Sequence, residues 1–230
     1  MDISFEYIDP FDEKYDYLMR VEHLARYYFA VNIFKGFKTV LDVACANGYG
    51  TKILGEISER VTGIDKNSEY LKEATEKNAS DNITYLQMNL DNEELEGCFD
   101  GIACFETIEH LKHPEDFLRN LFNVLTNNGT LILSFPNSAY EIIEDGKNKD
   151  PYHLQVFEFD DISNFLKSIG FKIEEVYGQS YTNKIVNNKI DDYKLTTLIE
   201  DAKTIGYPSK DDIDNTYSYI FVLKKEKQNG

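Results

Sequence analysis

Residues 38–50 read KTVLDVACANGYG, and the fold is decided there. The first eight residues, KTVLDVAC, are apolar and rich in β-branched side chains, the composition of a short buried strand. Residues 46–50 are small and break that strand, and a helix is expected over residues 51–60. A tight turn between a strand and a helix N-terminus lets the backbone approach a ligand and points its N–H groups at it. The next apolar run, VTGID at 61–65, ends in Asp65, 23 residues after Asp42. In dinucleotide-binding folds an acid that holds the ribose follows the glycine-rich turn by roughly 20 residues.

Outward from this stretch, strands and helices alternate. Tyr17, Leu18, Val21, Leu24, Ala25, Tyr28 and Phe29 recur at three- and four-residue spacing and predict a helix over 13–35. Downstream, helices are expected over 68–78 and 114–125, and strands over 82–88, 101–105 and 130–135. Pro114 starts the second of those helices, and Asn127-Asn128-Gly129 reads as its stop. Such alternation predicts an α/β protein with a mostly parallel sheet between helices. After Asn137 the rhythm changes. Residues 138–157 read as a loop, 160–170 as a helix and 171–177 as a strand; 183–206 read as a polar, partly helical insertion and 216–224 as a last strand. The tail, 225–230, is expected to be disordered.

Composition narrows the function. There are 41 acidic and 24 basic residues, a formal charge of −17. Such a surface repels phosphate backbones and anionic lipid, so neither nucleic acid nor a membrane is an expected partner. The three cysteines form no C-x-x-C pair, which argues against a disulfide framework or a zinc knuckle. Cys45 and Cys104 read as packing residues. No run approaches the ~18 apolar residues of a membrane span, and residues 1–12 lack an apolar signal core. A cytoplasmic protein is expected, as a monomer or homodimer.

VLDVACANGYG resembles motif I of the class I S-adenosylmethionine-dependent methyltransferases, in which glycines commonly stand at the positions of Ala44 and Ala46. ITYLQMNL (83–90), FDGIACFETIEHL (99–111) and NNGTLILSFPN (127–137) resemble the third-, fourth- and fifth-strand segments of the same family, in the same order. The resemblance covers about residues 15–180 and is to methyltransferase domains of the type 11 and 23 kind. It implies a Rossmann-like, seven-stranded sheet in one domain over 1–230. Within it, 1–36 would form a lid helix, 37–137 the cofactor core, and 138–224 the acceptor half with an insertion at 181–215. S-adenosylmethionine would be the methyl donor and S-adenosylhomocysteine the product.

The implied roles follow the motifs. Asp42, Ala44, Cys45, Asn47 and Gly48 would surround the methionine part, mostly through backbone groups. Asp65, with Lys66 beside it, would hold the ribose. Met88 and Leu90 would flank the adenine. Asn89 stands where many relatives have an Asp that accepts from the adenine amino group. Phe105 and Glu106 would lie near the methionine amino group. In the lid helix, Arg26 would pair with the methionine carboxylate and Tyr27 cover the site; the alternative is an ordinary amphipathic helix with Arg26 in solvent.

Glu106-Thr107-Ile108-Glu109-His110 follows the fourth strand and brings two carboxylates and an imidazole to the carboxyl edge of the sheet. Methyl transfer by direct displacement requires alignment and, for a hydroxyl acceptor, removal of its proton. His110 is the first candidate base, and Glu109 stands beside it. His153, in DPYHLQVF (150–157), is the second; that segment resembles the histidine-bearing loop of many sugar, antibiotic and small-molecule methyltransferases. His113, before Pro114, reads as a surface residue. E-x-x-E-H with a distant His also resembles methyltransferases that modify small-RNA 3′ ends, and ubiquinone-biosynthesis relatives share its first part. Those families imply a divalent metal on Glu106, Glu109, His110 and His153. The plainer reading, preferred here, has no metal: Glu106 serves the cofactor and Glu109 caps a helix.

The expected acceptor is a small molecule or a glycan precursor, methylated on oxygen or nitrogen. Two other readings remain. A nicotinamide oxidoreductase would need a G-x-G-x-x-G turn, which Ala44-Cys45-Ala46-Asn47-Gly48 fits poorly. A non-catalytic binder of S-adenosylmethionine would have little use for Glu109, His110 and His153 on one edge.

Overall fold

Each short apolar run alternates its side chains between two helical layers. In the computed structural model, Leu41, Val43, Ile102, Cys104, Leu131, Leu133 and Phe135 share one apolar cluster, on the side of the fourth and fifth helices. Val40, Ala103, Ile132, Ile220 and Val222 face the first two helices instead. This is the period-2 alternation of strands covered on both faces. The described residues are 7–141, 143–144, 147–148, 150–179, 196–211 and 213–226.

The elements run α1 (Tyr17–Phe34), β1 (Thr39–Val43), α2 (Tyr49–Gly55), β2 (Arg60–Asp65), α3 (Ser68–Lys77), β3 (Ile83–Gln87), β4 (Phe99–Phe105), α4 (Pro114–Val124) and β5 (Leu125–Pro136). Then come a small hairpin, β6 (Ile143–Glu144) and β7 (Lys147–Asn148), followed by α5 (Phe159–Ser168), β8 (Phe171–Gln179), α6 (Leu198–Lys203) and β9 (Ser218–Lys225). The seven-stranded sheet has the order β3-β2-β1-β4-β5-β9-β8. β1 to β5 pair in parallel, and β9 runs antiparallel between β5 and β8. The β1, β2 and β4 carboxyl ends therefore lie on one edge, joined there by the start of β9. The fold is the expected Rossmann-like α/β arrangement.

Several boundaries differ from expectation. α1 starts at Tyr17 because Asp16 caps it, accepting from Leu18 N and Met19 N. α2 begins at Tyr49 after a left-handed Gly48 and stops at Gly55, short of residue 60. Asn127-Asn128-Gly129 does not stop α4, which ends at Val124; it lies inside β5. Asn128 takes φ 68°, and the register moves from Phe99↔Leu125 to Gly101↔Thr130. The signal was that of a bulge, since Asn tolerates left-handed backbone as a helix stop does. Residues 138–157 are not all loop, for they hold the β6–β7 hairpin. Lys225 belongs to β9 and pairs with Phe171, so the tail starts later than expected. Residues 180–195, which hold the first part of the expected insertion, and 227–230 lie outside the described residues. Among the described residues no helix is long and apolar enough to cross a membrane.

Candidate active site

The β1–α2 turn is built on strained backbone. Ala44 and Ala46 take φ 54° and 47°, the left-handed region that favours glycine, and Gly48 takes 76°. Asp42 lies beneath the turn with no exposure. Its Oδ2 accepts from Thr51 Oγ1 at 2.6 Å and its Oδ1 from the Tyr27 hydroxyl at 3.0 Å. Burial pushes its carboxyl up to about 7, against the pull of those two bonds. Asp65 ends β2; its Oδ2 accepts from Ala46 N at 2.9 Å and its Oδ1 from Asn67 N at 2.8 Å. Asn47 Nδ2 donates to Asp9 Oδ2 at 2.9 Å and to Glu73 Oε1 at 3.3 Å. A Cβ on Gly50 would run into the Tyr27 ring, so glycine there lets α1 close over the turn.

A cavity of about 650 Å³ opens along this edge. Of the expected cofactor residues, Arg26, Ala44, Cys45, Asp65, Lys66, Asn89, Leu90, Phe105 and Glu106 line it, as does Tyr27. So do Glu109, His110 and His153. Asp42, Asn47, Gly48 and Met88 are not in its lining; Asp42 and Asn47 brace the turn from behind, and Met88 packs on the core. Asn89 Oδ1 accepts from Asp91 N at 3.1 Å. His113 is exposed, as expected.

Arg26 is not in solvent. It is 3% exposed, donates from Nε to Gln179 Oε1 at 2.8 Å, and sits with Nη2 3.7 Å from Glu106 Oε1. Glu106 itself takes φ 44° at the end of β4. Its Oε1 accepts from Ser134 Oγ at 2.6 Å and its Oε2 from Ser218 Oγ at 3.2 Å. A residue in that backbone region costs of order 1–3 kcal/mol and persists only where its surroundings hold it.

The other end of the cavity is different in kind. Glu109 is 1% exposed, and neither carboxylate oxygen has a hydrogen-bond partner among the described residues. Burial pushes its carboxyl well up, and Glu106 adds to this. The expected helix cap is therefore not made; the short turn Ile108–His110 receives no side-chain cap. Instead the Glu109 carbonyl accepts from Leu154 N at 2.7 Å and Gln155 N at 3.0 Å, which pins the loop that carries His153. His110 Nδ1 lies 2.8 Å from the Tyr152 carbonyl. A carbonyl only accepts, so the proton is on Nδ1 and the lone pair on Nε2, 3.9 Å from Glu109 Oε1. Burial pulls His110 below its ordinary value and keeps it neutral. His153 behaves oppositely: burial opposes its charged form most strongly, but the bond to Glu141 together with the charges of Glu141, Asp150 and Glu106 raises it. The two rings lie 5.0 Å apart. One donor atom each from Glu109, His110 and His153 falls within 4.8 Å of the others. Glu106, the fourth residue of the implied metal set, is not in this cluster, because Ser134, Ser218 and Arg26 hold its carboxylate.

Some lining residues had been given no role. Met19, Glu22 and His23 precede Arg26 and Tyr27 by three to eight positions on α1, so the helical period alone puts them on the same face. Tyr217 carries no local signal; it reaches the cavity because β9 runs antiparallel and starts at this edge.

Residues 41–133 match the profile of a family described as "Methyltransferase domain". In those residues the chain is similar to a methyltransferase domain. Among curated proteins, the chain is 27% identical over 179 residues to the mitochondrial ubiquinone biosynthesis O-methyltransferase of Schizosaccharomyces pombe, covering 70% of this chain and 65% of that one. It is 28% identical over 182 residues to the ubiquinone biosynthesis O-methyltransferase of Rickettsia conorii, covering 77% and 60%. The chain thus spans somewhat under two thirds of the length of these relatives. Among solved structures, an S-adenosylmethionine-dependent methyltransferase from Listeria monocytogenes shares the fold, with a TM-score of 0.63 at 16% identity over 89% of this chain and 99% of that one. The N-methyltransferase NodS of Bradyrhizobium japonicum, solved with S-adenosyl-L-homocysteine, gives 0.60 at 14% over 91% and 87%.

Proposed function

We propose that the protein transfers a methyl group from S-adenosylmethionine to a hydroxyl of a small, neutral acceptor. The observation that carries this is one cavity shared by the Asp65 turn and the Glu109–His110–His153 cluster. The turn fits the cofactor. Asp65 ends β2 on the cavity, where its carboxylate, oriented by two backbone amides, is placed to accept from ribose hydroxyls. Arg26 and Glu106 supply opposite charges for the carboxylate and amino groups of the methionine part. When bound, the cofactor supplies an electrophilic methyl on a sulfonium.

The chain's own residues then do two things. α1 and the 150–155 loop hold the acceptor in line and keep water out, the kind of positioning worth about 7–11 kcal/mol of barrier in well-oriented reactions. His110, neutral with its lone pair on Nε2, accepts the hydroxyl proton, a role worth about 10²–10⁴ in rate. Oxygen rather than nitrogen is favoured by the names of the relatives above, which are O-methyltransferases.

The cavity's acceptor end, residues 109–111, 136, 150–154 and 217, holds carboxylates and imidazoles but neither Lys nor Arg. A phosphorylated acceptor such as a sugar nucleotide would meet the carboxylates of Glu109 and Asp150 there, with neither Lys nor Arg to pair with it. A neutral hydroxylated ring has Tyr152, Leu154 and Tyr217 to pack on. One observation favours a second reading of the same site: the unbonded Glu109 carboxylate beside two imidazoles suits a divalent cation. Glu109, His110 and His153 would hold it, and it would act as a Lewis acid on an acceptor hydroxyl.

The test is transfer of labelled methyl from S-adenosylmethionine to catechol and to a sugar nucleotide, with and without Mg²⁺. Transfer to catechol is expected. Transfer to the sugar nucleotide alone would contradict the acceptor class, and transfer unaffected by chelation would remove the cation.

A further inference from the structure

Glu141 has no part in the motifs that mark the family, yet it is the partner of His153. Its side chain is 7% exposed, and its Oε1 lies 2.9 Å from His153 Nδ1. The β6–β7 hairpin stands between the two in sequence and turns the chain back, so that residues twelve apart meet. A second carboxylate, Asp150, is on the other side of the ring, with Oδ2 3.9 Å from Nε2, beyond hydrogen-bond distance.

An ionised carboxylate offers only acceptors, so the short bond places the ring proton on Nδ1. The lone pair is then on Nε2. Which ring nitrogen carries the proton is set by the bond the other nitrogen makes, and buried carboxylates serve that purpose for catalytic and ligating histidines. His110 is treated in the same way by different means: the Tyr152 carbonyl takes its Nδ1 proton. The two facing rings are thus both held in the form that bares Nε2, one by a backbone carbonyl and one by a buried acid. Burying an acid is costly where it only fills space.

We propose that Glu141 is the positioning residue of the site, which fixes the tautomer and orientation of His153. The proposal rests on the methyltransferase reading of His153 given above. With Glu141 in place, His153 presents a lone pair beside Glu109 and His110, ready to take a proton or a cation. Without it, the neutral ring is free to carry its proton on Nε2 and to turn toward Asp150, which removes that lone pair from the cluster.

The direct readout is the long-range ¹⁵N–¹H spectrum of the full chain, labelled at histidine, recorded above the pH at which the ring titrates. His153→Gln assigns the resonance. In the wild type the neutral ring is expected to be protonated on Nδ1. In Glu141→Ala the proton is expected to move to Nε2, and Glu141→Gln, whose amide oxygen still accepts from Nδ1, is expected to restore the wild-type pattern. S-adenosylhomocysteine titration of each variant reports the fold, with affinity expected within about twofold. Should Glu141→Ala lose that binding, Glu141→Asp, which keeps the charge and shortens the reach, is read in its place. A wild-type ring protonated on Nε2, or a ring that keeps its proton on Nδ1 in the variant, would overturn the assignment. The spectrum needs neither acceptor nor cofactor. Failure of methyl transfer itself would instead appear as a wild type that does not bind S-adenosylhomocysteine.

Discussion

The two ends of the cavity treat buried carboxylates in opposite ways. Under and beside the β1–α2 turn, Asp42 and Asp65 each accept two hydrogen bonds from the protein itself. At the other end Glu109 is just as buried, and neither of its oxygens has a hydrogen-bond partner among the described residues. A buried polar group left unpaired costs about 1–3 kcal/mol, more if charged. The paired acids build the scaffold that holds the turn. Glu109, without such a bond among the described residues, lines the cavity beside His110 and His153.

The largest expected effect breaks this contrast at Glu109. Glu109→Met removes the carboxylate beside the Nε2 of His110 and should lower methyl transfer by up to about 10²–10⁴, the usual worth of the acid–base step it adjoins, and leave S-adenosylhomocysteine affinity unchanged. It should also raise the melting temperature, since an unsatisfied polar group is replaced by an apolar one of similar size. A variant that is both inactive and destabilised would mean that Glu109 belongs to the scaffold.

Asp42 is the converse case. Burial holds its carboxyl up at about 7 in the fold, well above the ordinary aspartate range. With the folded value raised, the fold binds the extra proton, so its contribution to stability is full below the unfolded value and is lost as pH rises toward 7. Wild-type stability should therefore fall by a few kcal/mol between about pH 4 and pH 7 through this group. Asp42→Asn should flatten that slope, as measured by denaturant titration at each pH.

Two smaller effects sharpen the picture at the turn. Asp65→Ala should weaken S-adenosylhomocysteine binding by about 1–3 kcal/mol, the cost of ribose hydroxyls left unpaired; unchanged affinity would remove Asp65 from the ribose site. Ala44→Gly and Ala46→Gly should each stabilise the fold by about 0.5–1 kcal/mol. Glycine removes the left-handed strain but loses more chain entropy on folding. Thermal unfolding of the two variants checks this, and a drop in stability would mean that the methyls pack better than the backbone is strained.

Local pattern explains what was legible in the sequence. The apolar runs, the turn at 44–50 and the acid at Asp65 are short-range signals, and they located β1, β2 and one end of the cavity. Signals that depend on long-range pairing were not legible. Ser218, Tyr217 and Gln179 reach the site only because β9 runs antiparallel beside β5 and β8. Arg26 could be read as solvated until Gln179 and Glu106 were placed around it. Asn127-Asn128-Gly129 has the same chemistry in a bulge as in a helix stop. The separation of Glu106 from the Glu109 cluster likewise depends on Ser134 and Ser218, from two different strands.

Calorimetric titration of the wild-type chain with S-adenosylhomocysteine, in the presence and absence of Mg²⁺ and with NADH as a control, tests the central claim most directly. Micromolar binding of S-adenosylhomocysteine and none of NADH is the predicted result. Absence of S-adenosylhomocysteine binding would contradict it and would mean that the alanines of the turn have closed the pocket to the cofactor.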